Sequence, residues 1–105
     1  MGPEARIEHR TATLAMQRFG IPSTKWGQDG WPDRVFWIPG GSPLLIEFKS
    51  GAPESGVDAR QAQRIEHLTL WGYDVEVHNN AEQAIEAIRV RVEAARRKYN
   101  RRSSW

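Results

Sequence analysis

Three side chains that could act together in phosphate chemistry lie close in the sequence: Asp33, Glu47 and Lys49. Two converging carboxylates are a hard-oxygen site for Mg²⁺ or Mn²⁺, because these ions prefer oxygen ligands and keep several waters. A lysine beside them can hold or help deprotonate an attacking water and can offset the charge on a pentavalent phosphorus. If the three side chains meet, the expected reaction is metal-assisted hydrolysis of a phosphodiester.

The stretch that holds these residues is typical of a β-hairpin. Two apolar runs flank the break Pro39-Gly40-Gly41-Ser42-Pro43, and glycine supplies the positive φ of a tight reversal. A turn centred near Gly41 would place Asp33 opposite Lys49. The odd-numbered face then gathers two carboxylates and an ammonium at one end, while the even-numbered face carries five apolar residues. That apolar face consists of Phe36, Ile38, Leu44, Ile46 and Phe48.

The same residues carry a family resemblance. Pro32-Asp33, a gap and then Glu47-Phe48-Lys49 resemble the PD-(D/E)xK motif of restriction-endonuclease-like nucleases. Gly30-Trp31 before the motif resembles the version in the VRR-Nuc family, which includes short stand-alone phage and bacterial proteins. The resemblance covers about residues 4–88 and implies an α/β fold, an αβββαβ core with a mixed sheet.

The resemblance also implies roles for individual residues. Asp33 and Glu47 would be metal ligands, the backbone carbonyl of Phe48 would add another, and Lys49 would position and activate the water. Asp29 is a rival to Asp33 as a ligand, but it precedes the expected strand and nothing aims it at Glu47.

A first helix is expected from about Glu4 to Phe19, because this segment has no internal glycine and ends at Gly20. Glu8 interrupts the apolar stripe of that helix. A buried carboxylate needs compensation, which a metal ion, an arginine or exposure near the first turns would each supply. The resemblance favours a metal role for Glu8, since the family has a glutamate about three turns before a similar glycine.

A second helix is expected from Asp58 to Gly72, with Asp58 and Gln61 in the pattern of a capping box. From the residues alone, Gln61 either folds back onto the cap or points into the site. Gln61, Leu68 and Gly72 reproduce the spacing of the family. The resemblance therefore implies that Gln61 supports catalysis by a hydrogen bond to the lysine, a phosphate oxygen or a metal-bound water.

The remaining elements complete a mixed α/β order. A short strand is expected within Ile21–Trp26, and a strand over Tyr73–His78 should run parallel to the second hairpin strand, because a helix connects the two. The last helix, capped by Asn80, has an apolar stripe longer than so small a domain needs. Either its far half projects into solvent or it packs on a partner chain, so we expect a homodimer.

Length and composition narrow the classes of function. The chain has 105 residues and no cysteine, which favours one domain over 1–105 and excludes thiolate zinc sites and a cysteine nucleophile. It has no signal-peptide pattern, membrane span or Walker A motif, so we expect a cytoplasmic protein of a bacterial or phage-infected cell without a nucleotide cofactor. The three histidines lie on different elements, so we expect no zinc site.

Basic residues crowd the end of the chain, in a region of about 89–105 that lies outside the resemblance. The net charge of +2 and a pI near 9.4 suit a polyanion partner, although a solvated tail explains the charge equally well. We expect DNA phosphates to be bound by an extended basic helix and tail. The residues concerned are Arg96, Arg97, Lys98, Arg101 and Arg102.

The sequence thus predicts a Mg²⁺- or Mn²⁺-dependent DNA endonuclease that selects branched, flapped or nicked structures, as in DNA repair or recombination. The main alternative is a non-catalytic nucleic-acid-binding subunit with the same fold. A third interpretation is a structural or assembly protein whose acidic cluster is solvated.

Overall fold

The structure is a computed structural model that describes residues 1–51 and 57–99. Three helices and four strands alternate in the predicted order. They are α1 Pro3–Phe19, β1 Ser23–Lys25, β2 Arg34–Phe36, β3 Leu44–Phe48, α2 Ala59–Leu70, β4 Asp74–His78 and α3 Ala81–Tyr99. Within the described ranges, no helix is both long and apolar enough to cross a membrane.

The four strands form one mixed sheet in the order β1-β2-β3-β4. β1, β2 and β3 pair antiparallel, whereas β3 and β4 pair parallel and are joined by the crossover through α2. The predicted αβββαβ order and the parallel pair are therefore confirmed. The sheet brings the C-terminal end of β3 beside the start of α2.

The register of the β2–β3 hairpin differs from the expected one. Val35 pairs with Leu45, two positions short of Glu47. Continued one residue before the start of β2, this register sets Asp33 opposite Glu47, not opposite Lys49. The predicted pairing was therefore wrong by two residues. Because side chains alternate between faces, a shift of two leaves every side chain on its expected face.

Two prolines and two glycines determine this register. Pro39 and Pro43 cannot donate a ladder hydrogen bond, so the strands end before the segment 37–43 begins and resume after it. Gly40 and Gly41 turn the chain with φ of 93° and 74°, in the left-handed region that favours glycine.

The main core lies on the sheet face that α1 and α3 cover, and all of its members are apolar. It consists of Ala15, Ile21, Phe36, Ile38, Leu44, Ile46, Phe48, Ala84, Ile85, Ile88, Val92 and Ala95. Val92 and Ala95 belong to the far half of the α3 stripe and are buried by this chain itself. The structure thus removes the reason for expecting a partner at that stripe, and the homodimer stays a prediction.

The opposite face carries α2 and a much smaller core. Val35, Leu45 and Leu68 are its buried members, and Trp31 and Val75 pack beside them. Asp58 caps α2 as predicted, accepting a hydrogen bond from the Gln61 backbone N–H at 2.8 Å. This cap points the first turn of α2 toward the end of β3.

Candidate active site

Glu47, Lys49 and Gln61 form a closed triangle of polar contacts where β3 ends. Lys49 Nζ lies 2.9 Å from Glu47 Oε2, and Gln61 Nε2 donates to the same oxygen at 2.8 Å. Lys49 Nζ also donates to Gln61 Oε1 at 3.2 Å. The backbone of Gln61 serves the helix cap while its side chain points into the site, so the second of the two arrangements left open by the sequence is the one observed.

Asp33 is held beside this triangle by the backbone. Its Oδ2 accepts a hydrogen bond from the Phe48 N–H at 2.7 Å, and its carbonyl accepts one from the Trp26 N–H at 2.8 Å. Asp29, the rival ligand, instead pairs with Arg60 at the surface, with 2.6 Å between Oδ2 and Nη2. Asp33 is therefore the aspartate that the fold brings to Glu47.

The pKa of Asp33 is raised to about 6. Burial is the largest cause, and the charges of Glu47 and Glu8 add to it. The hydrogen bond from Phe48 and the charge of Lys25 act in the opposite direction. A raised pKa shows that negative charge at Asp33 is under-compensated in this state of the protein.

The pKa of Lys49 is raised as well. Burial alone would lower it, but the hydrogen bond to Glu47 and the charges of Glu47, Glu4 and Asp33 outweigh that effect. Lys49 is therefore an ammonium at neutral pH. In this state it can donate hydrogen bonds but cannot accept a proton.

Glu8 is buried from the other side of the sheet, at 6% exposure. Lys25 Nζ lies 3.1 and 3.0 Å from its two oxygens, and Arg34 Nε lies 3.0 Å from Oε2. Lys25 and Arg34 are directly paired on β1 and β2, so they share one face. Two cations therefore compensate the charge of Glu8. Of the compensations expected from the sequence, the arginine is the one observed, with a lysine in addition.

Sequence reasoning missed Lys25 and Arg34 as partners of Glu8. The available signal was alternation along β2, which places Arg34 on the face opposite to that of Asp33 and toward α1. The pairing of β1 with β2, which adds Lys25, has no comparable signal in the sequence.

An open cleft of about 500 Å³ contains the Glu47, Lys49 and Gln61 triangle together with Asp33 and Glu8. It lies between the N-terminal turns of α1, the end of β3 and the start of α2. All five predicted side chains line it, together with Phe48. These side chains are Glu8, Asp33, Glu47, Lys49 and Gln61.

The donor set of the cleft fits a divalent cation in part. Glu47 Oε1 is buried without a hydrogen-bond partner, which is costly unless a cation or donor meets it. Asp33 is under-compensated beside it. However, no three Asp, Glu or His side chains of residues 1–51 and 57–99 are gathered closely enough to hold an ion. Asp33 and Glu47 therefore fit the predicted ligand pair, whereas Glu8 is engaged by its two cations.

Comparisons with known proteins bear on the fold. No family model matches the sequence, and no curated protein matches it. Solved structures do match the chain, two of them at 22% sequence identity. One, described as a VRR_NUC domain, has a TM-score of 0.69 over 85% of this chain and 97% of its own. The other, described as a VRR_NUC domain protein, has a TM-score of 0.71 over 89% of this chain and 90% of its own.

This chain has the VRR_NUC fold. The two matches span most of both chains. The motif at Asp33, Glu47 and Lys49 and the shape of the backbone thus indicate the VRR_NUC fold independently.

The described members of the predicted DNA-binding set lie at the other end of this VRR_NUC fold. Arg96 Nη2 donates to the Phe19 carbonyl at 3.5 Å. Phe19 is about three turns of α1, or roughly 16 Å, beyond Glu8. Lys98 lines a cavity beside the hairpin turn, and Arg97 is exposed on the last turn of α3. Arg101 and Arg102 lie outside the described residues. The fold therefore does not bring the described members of this set into the cleft.

Proposed function

We propose that this chain is a Mg²⁺- or Mn²⁺-dependent endonuclease of the VRR-Nuc family that hydrolyses phosphodiester bonds in DNA. One observation carries the proposal. Asp33, Glu47, Lys49 and Gln61, which are separated in sequence, line one cleft of a VRR_NUC fold.

Asp33, Glu47 and the Phe48 carbonyl would hold the metal. The unpartnered Glu47 Oε1 and the raised pKa of Asp33 support this choice. Glu8 would act through water, or directly once Lys25 and Arg34 give way. A divalent ion bound there would polarise the phosphate and make a bound water more acidic.

Lys49 has the role of a hydrogen-bond donor in this proposal. Its raised pKa keeps it charged, so it positions the attacking water and offsets negative charge on the phosphate. Gln61 holds Lys49 and Glu47 in one arrangement through its two side-chain contacts. We infer that Gln61 is a positioning residue, because it contacts the two charged groups and not the reacting atoms.

The finer parts of the proposal concern the substrate and the assembly. Arginines and lysines of α3 and the tail would bind backbone phosphates, a salt-sensitive contact that contributes affinity without sequence choice. The proposal also includes selection of branched, flapped or nicked DNA, a role in repair or recombination, a cytoplasmic location and a single domain over 1–105. It further includes a homodimer, which sedimentation of the purified protein would test.

The test is cleavage of a panel of nicked, flapped, branched, single-stranded and intact duplex DNA in Mg²⁺, Mn²⁺ or EDTA. We expect cleavage with either metal and none in EDTA. Lys49→Ala should abolish it. Gln61→Ala should lower it by about 10- to 100-fold, since orientation of a catalytic group contributes at that order. Gln63→Ala is the matched control, because Gln63 is exposed on the same helix and should leave cleavage unchanged.

Two results would contradict the proposal. Cleavage that persists in Lys49→Ala would place the activity elsewhere or in a contaminant. Mn²⁺ binding by calorimetry that is the same in wild type and Glu47→Ala would remove the metal site.

The non-catalytic binding subunit has one observation in its favour. Glu8 is paired with Lys25 and Arg34, and the described residues assemble no cluster of three acidic ligands. Salt-sensitive DNA binding without cleavage of any form in Mn²⁺ would favour this alternative. The absence of both DNA and Mn²⁺ binding would favour a structural protein.

A further inference from the structure

A second cavity adjoins the candidate active site. It has a volume of about 300 Å³ and shares Asp33 and Gln61 with the first cleft. Trp26 and Trp31 line it, with 5.8 Å between their ring centroids, and Lys25 lines it as well. A molecule with its reacting group in the cleft would therefore extend over two indole rings.

A third, apolar groove continues from the same two tryptophans. It has a volume of about 370 Å³ and runs over the α2 face of the sheet to Trp71 and Tyr73. Trp26 is 42% exposed, Trp71 67% and Tyr73 50%. Large aromatic side chains are seldom exposed side by side on a surface without a binding role.

Cations accompany the aromatic rings. The guanidinium carbon of Arg64 lies 4.2 Å from the centroid of the Trp31 ring. Lys25 lines the same cavity, and Arg60 pairs with Asp29, which also lines it. Trp37, which also lines the groove, is fixed by a hydrogen bond from Nε1 to Thr24 Oγ1 at 2.8 Å. Trp26 and Trp31 thus lie beside positive charges, and the groove continues from them over further flat rings.

We propose that this path, defined by Trp26, Trp31, Trp71 and Tyr73, binds unpaired nucleotides of a DNA strand. The inference rests on the proposed nuclease function, because the scissile phosphate of that strand would lie in the cleft. Bases stack on aromatic side chains whatever their identity, and nearby cations hold the phosphates between them. Continuity with the cleft favours a DNA strand over a second protein copy, since the strand that enters the cleft must leave it along a neighbouring surface.

The first test measures binding apart from cleavage. Fluorescence anisotropy of labelled oligothymidylates and of a blunt duplex of equal length, in EDTA, separates unpaired from paired DNA. We expect the full-length protein to prefer the single strand. Trp26→Ala should weaken that binding by about tenfold and Trp71→Ala by a smaller factor, as loss of one stacking platform predicts. Trp26→Phe keeps a flat ring and should restore most of the affinity.

Val90→Ala is the control for this series, because Val90 is an exposed apolar residue of α3 and does not line the path. It should leave oligonucleotide binding unchanged. Equal affinity of wild type, Trp26→Ala and Trp71→Ala for the single strand would overturn the inference. A dimer that dissociates in these variants while their DNA affinity stays the same would overturn it in favour of a second copy.

Cleavage separates this inference from the proposed function. On DNA with an unpaired arm at the cleavage site, Trp26→Ala should reduce cleavage, while cleavage of a nicked duplex without such an arm should change less. If wild type cleaves and Trp26→Ala leaves both substrates unaffected, the path inference fails and the nuclease stands. If wild type never cleaves but binds single strands through Trp26, the path stands and the nuclease fails.

Discussion

The two faces of the sheet have different compositions and packing. On the α1 and α3 side, Phe36, Ile46 and Ile88 are fully buried in a continuous apolar core. On the α2 side, the buried apolar cluster of the described residues has three members, Val35, Leu45 and Leu68, and aromatic side chains lie exposed beside it. One face therefore supplies packing energy, and the other supplies the polar triangle and the exposed rings.

This difference has a physical reason. A buried carboxylate oxygen without a partner, as in Glu47, costs stability, and so does a carboxyl with a raised pKa, as in Asp33. A small domain tolerates such groups only when packing elsewhere offsets them. Neighbouring residues of β3 show the division most directly, because Ile46 faces the core and Glu47 faces the cleft.

The largest expected effect is on activity and concerns Glu47→Gln. This change keeps the shape of the side chain and removes its charge, so metal-dependent cleavage should fall by about 10²- to 10³-fold or more. The free energy of unfolding should fall as well, since the half-buried Lys49 ammonium loses its charged partner. Glu66→Gln, an exposed glutamate of α2, is the control for charge. Cleavage rates and urea denaturation of the same samples test both parts.

The next largest effect is on stability, with little effect on activity, and concerns Ile46→Ala. Ile46 is fully buried, so its truncation should lower the free energy of unfolding by about 2–5 kcal/mol. Under conditions where the variant is still folded, cleavage should be nearly normal. Urea denaturation followed by tryptophan fluorescence measures the loss. A loss below that of the exposed-site control Leu70→Ala would contradict the assignment of the two faces.

Asp33→Asn should stabilise the metal-free protein at pH 7.5, by about 1–2 kcal/mol after allowance for solvent screening. The pKa of Asp33 in the folded chain, about 6, lies above its ordinary value. The folded chain thus takes up this proton first as the pH falls, so Asp33 destabilises the wild type above pH 6 and no longer does so near pH 4.

Denaturation of both proteins in EDTA at pH 7.5 and near pH 4 checks this sign. The difference between them should shrink at the lower pH. An Asp33→Asn variant that is less stable than wild type at pH 7.5 would show that Asp33 is not under-compensated.

The smallest effect compares two helix caps. Asp58 accepts from the Gln61 N–H and Asn80 accepts from the Gln83 N–H, both at 2.8 Å. Replacing either residue by alanine should lower the free energy of unfolding by about 1 kcal/mol. Only Asp58→Ala should also reduce cleavage, because its cap positions Gln61. Equal cleavage by the two variants would show that the α2 cap has no role in the site.

Much of the fold was predictable from local signals. The apolar hairpin face, the Gly20 helix end, the Asp58 and Asn80 caps and the crossover each follow from residues near in sequence. The hairpin register was wrong by two residues, because the two prolines stop the ladder earlier than the apolar run suggests. The direction of the Gln61 side chain was left open by the residues and is determined by Glu47 and Lys49.

The sequence by itself determined that Asp33, Glu47 and Lys49 share one face of the hairpin, because alternation along a strand depends only on local geometry. Only the tertiary structure decided what those residues contact. It pairs Glu8 with Lys25 and Arg34, leaves Glu47 Oε1 without a partner, and places Arg96 at the far end of α1. Such contacts join separate elements of the chain, so their distances and charges exist only once the helices have packed on the sheet.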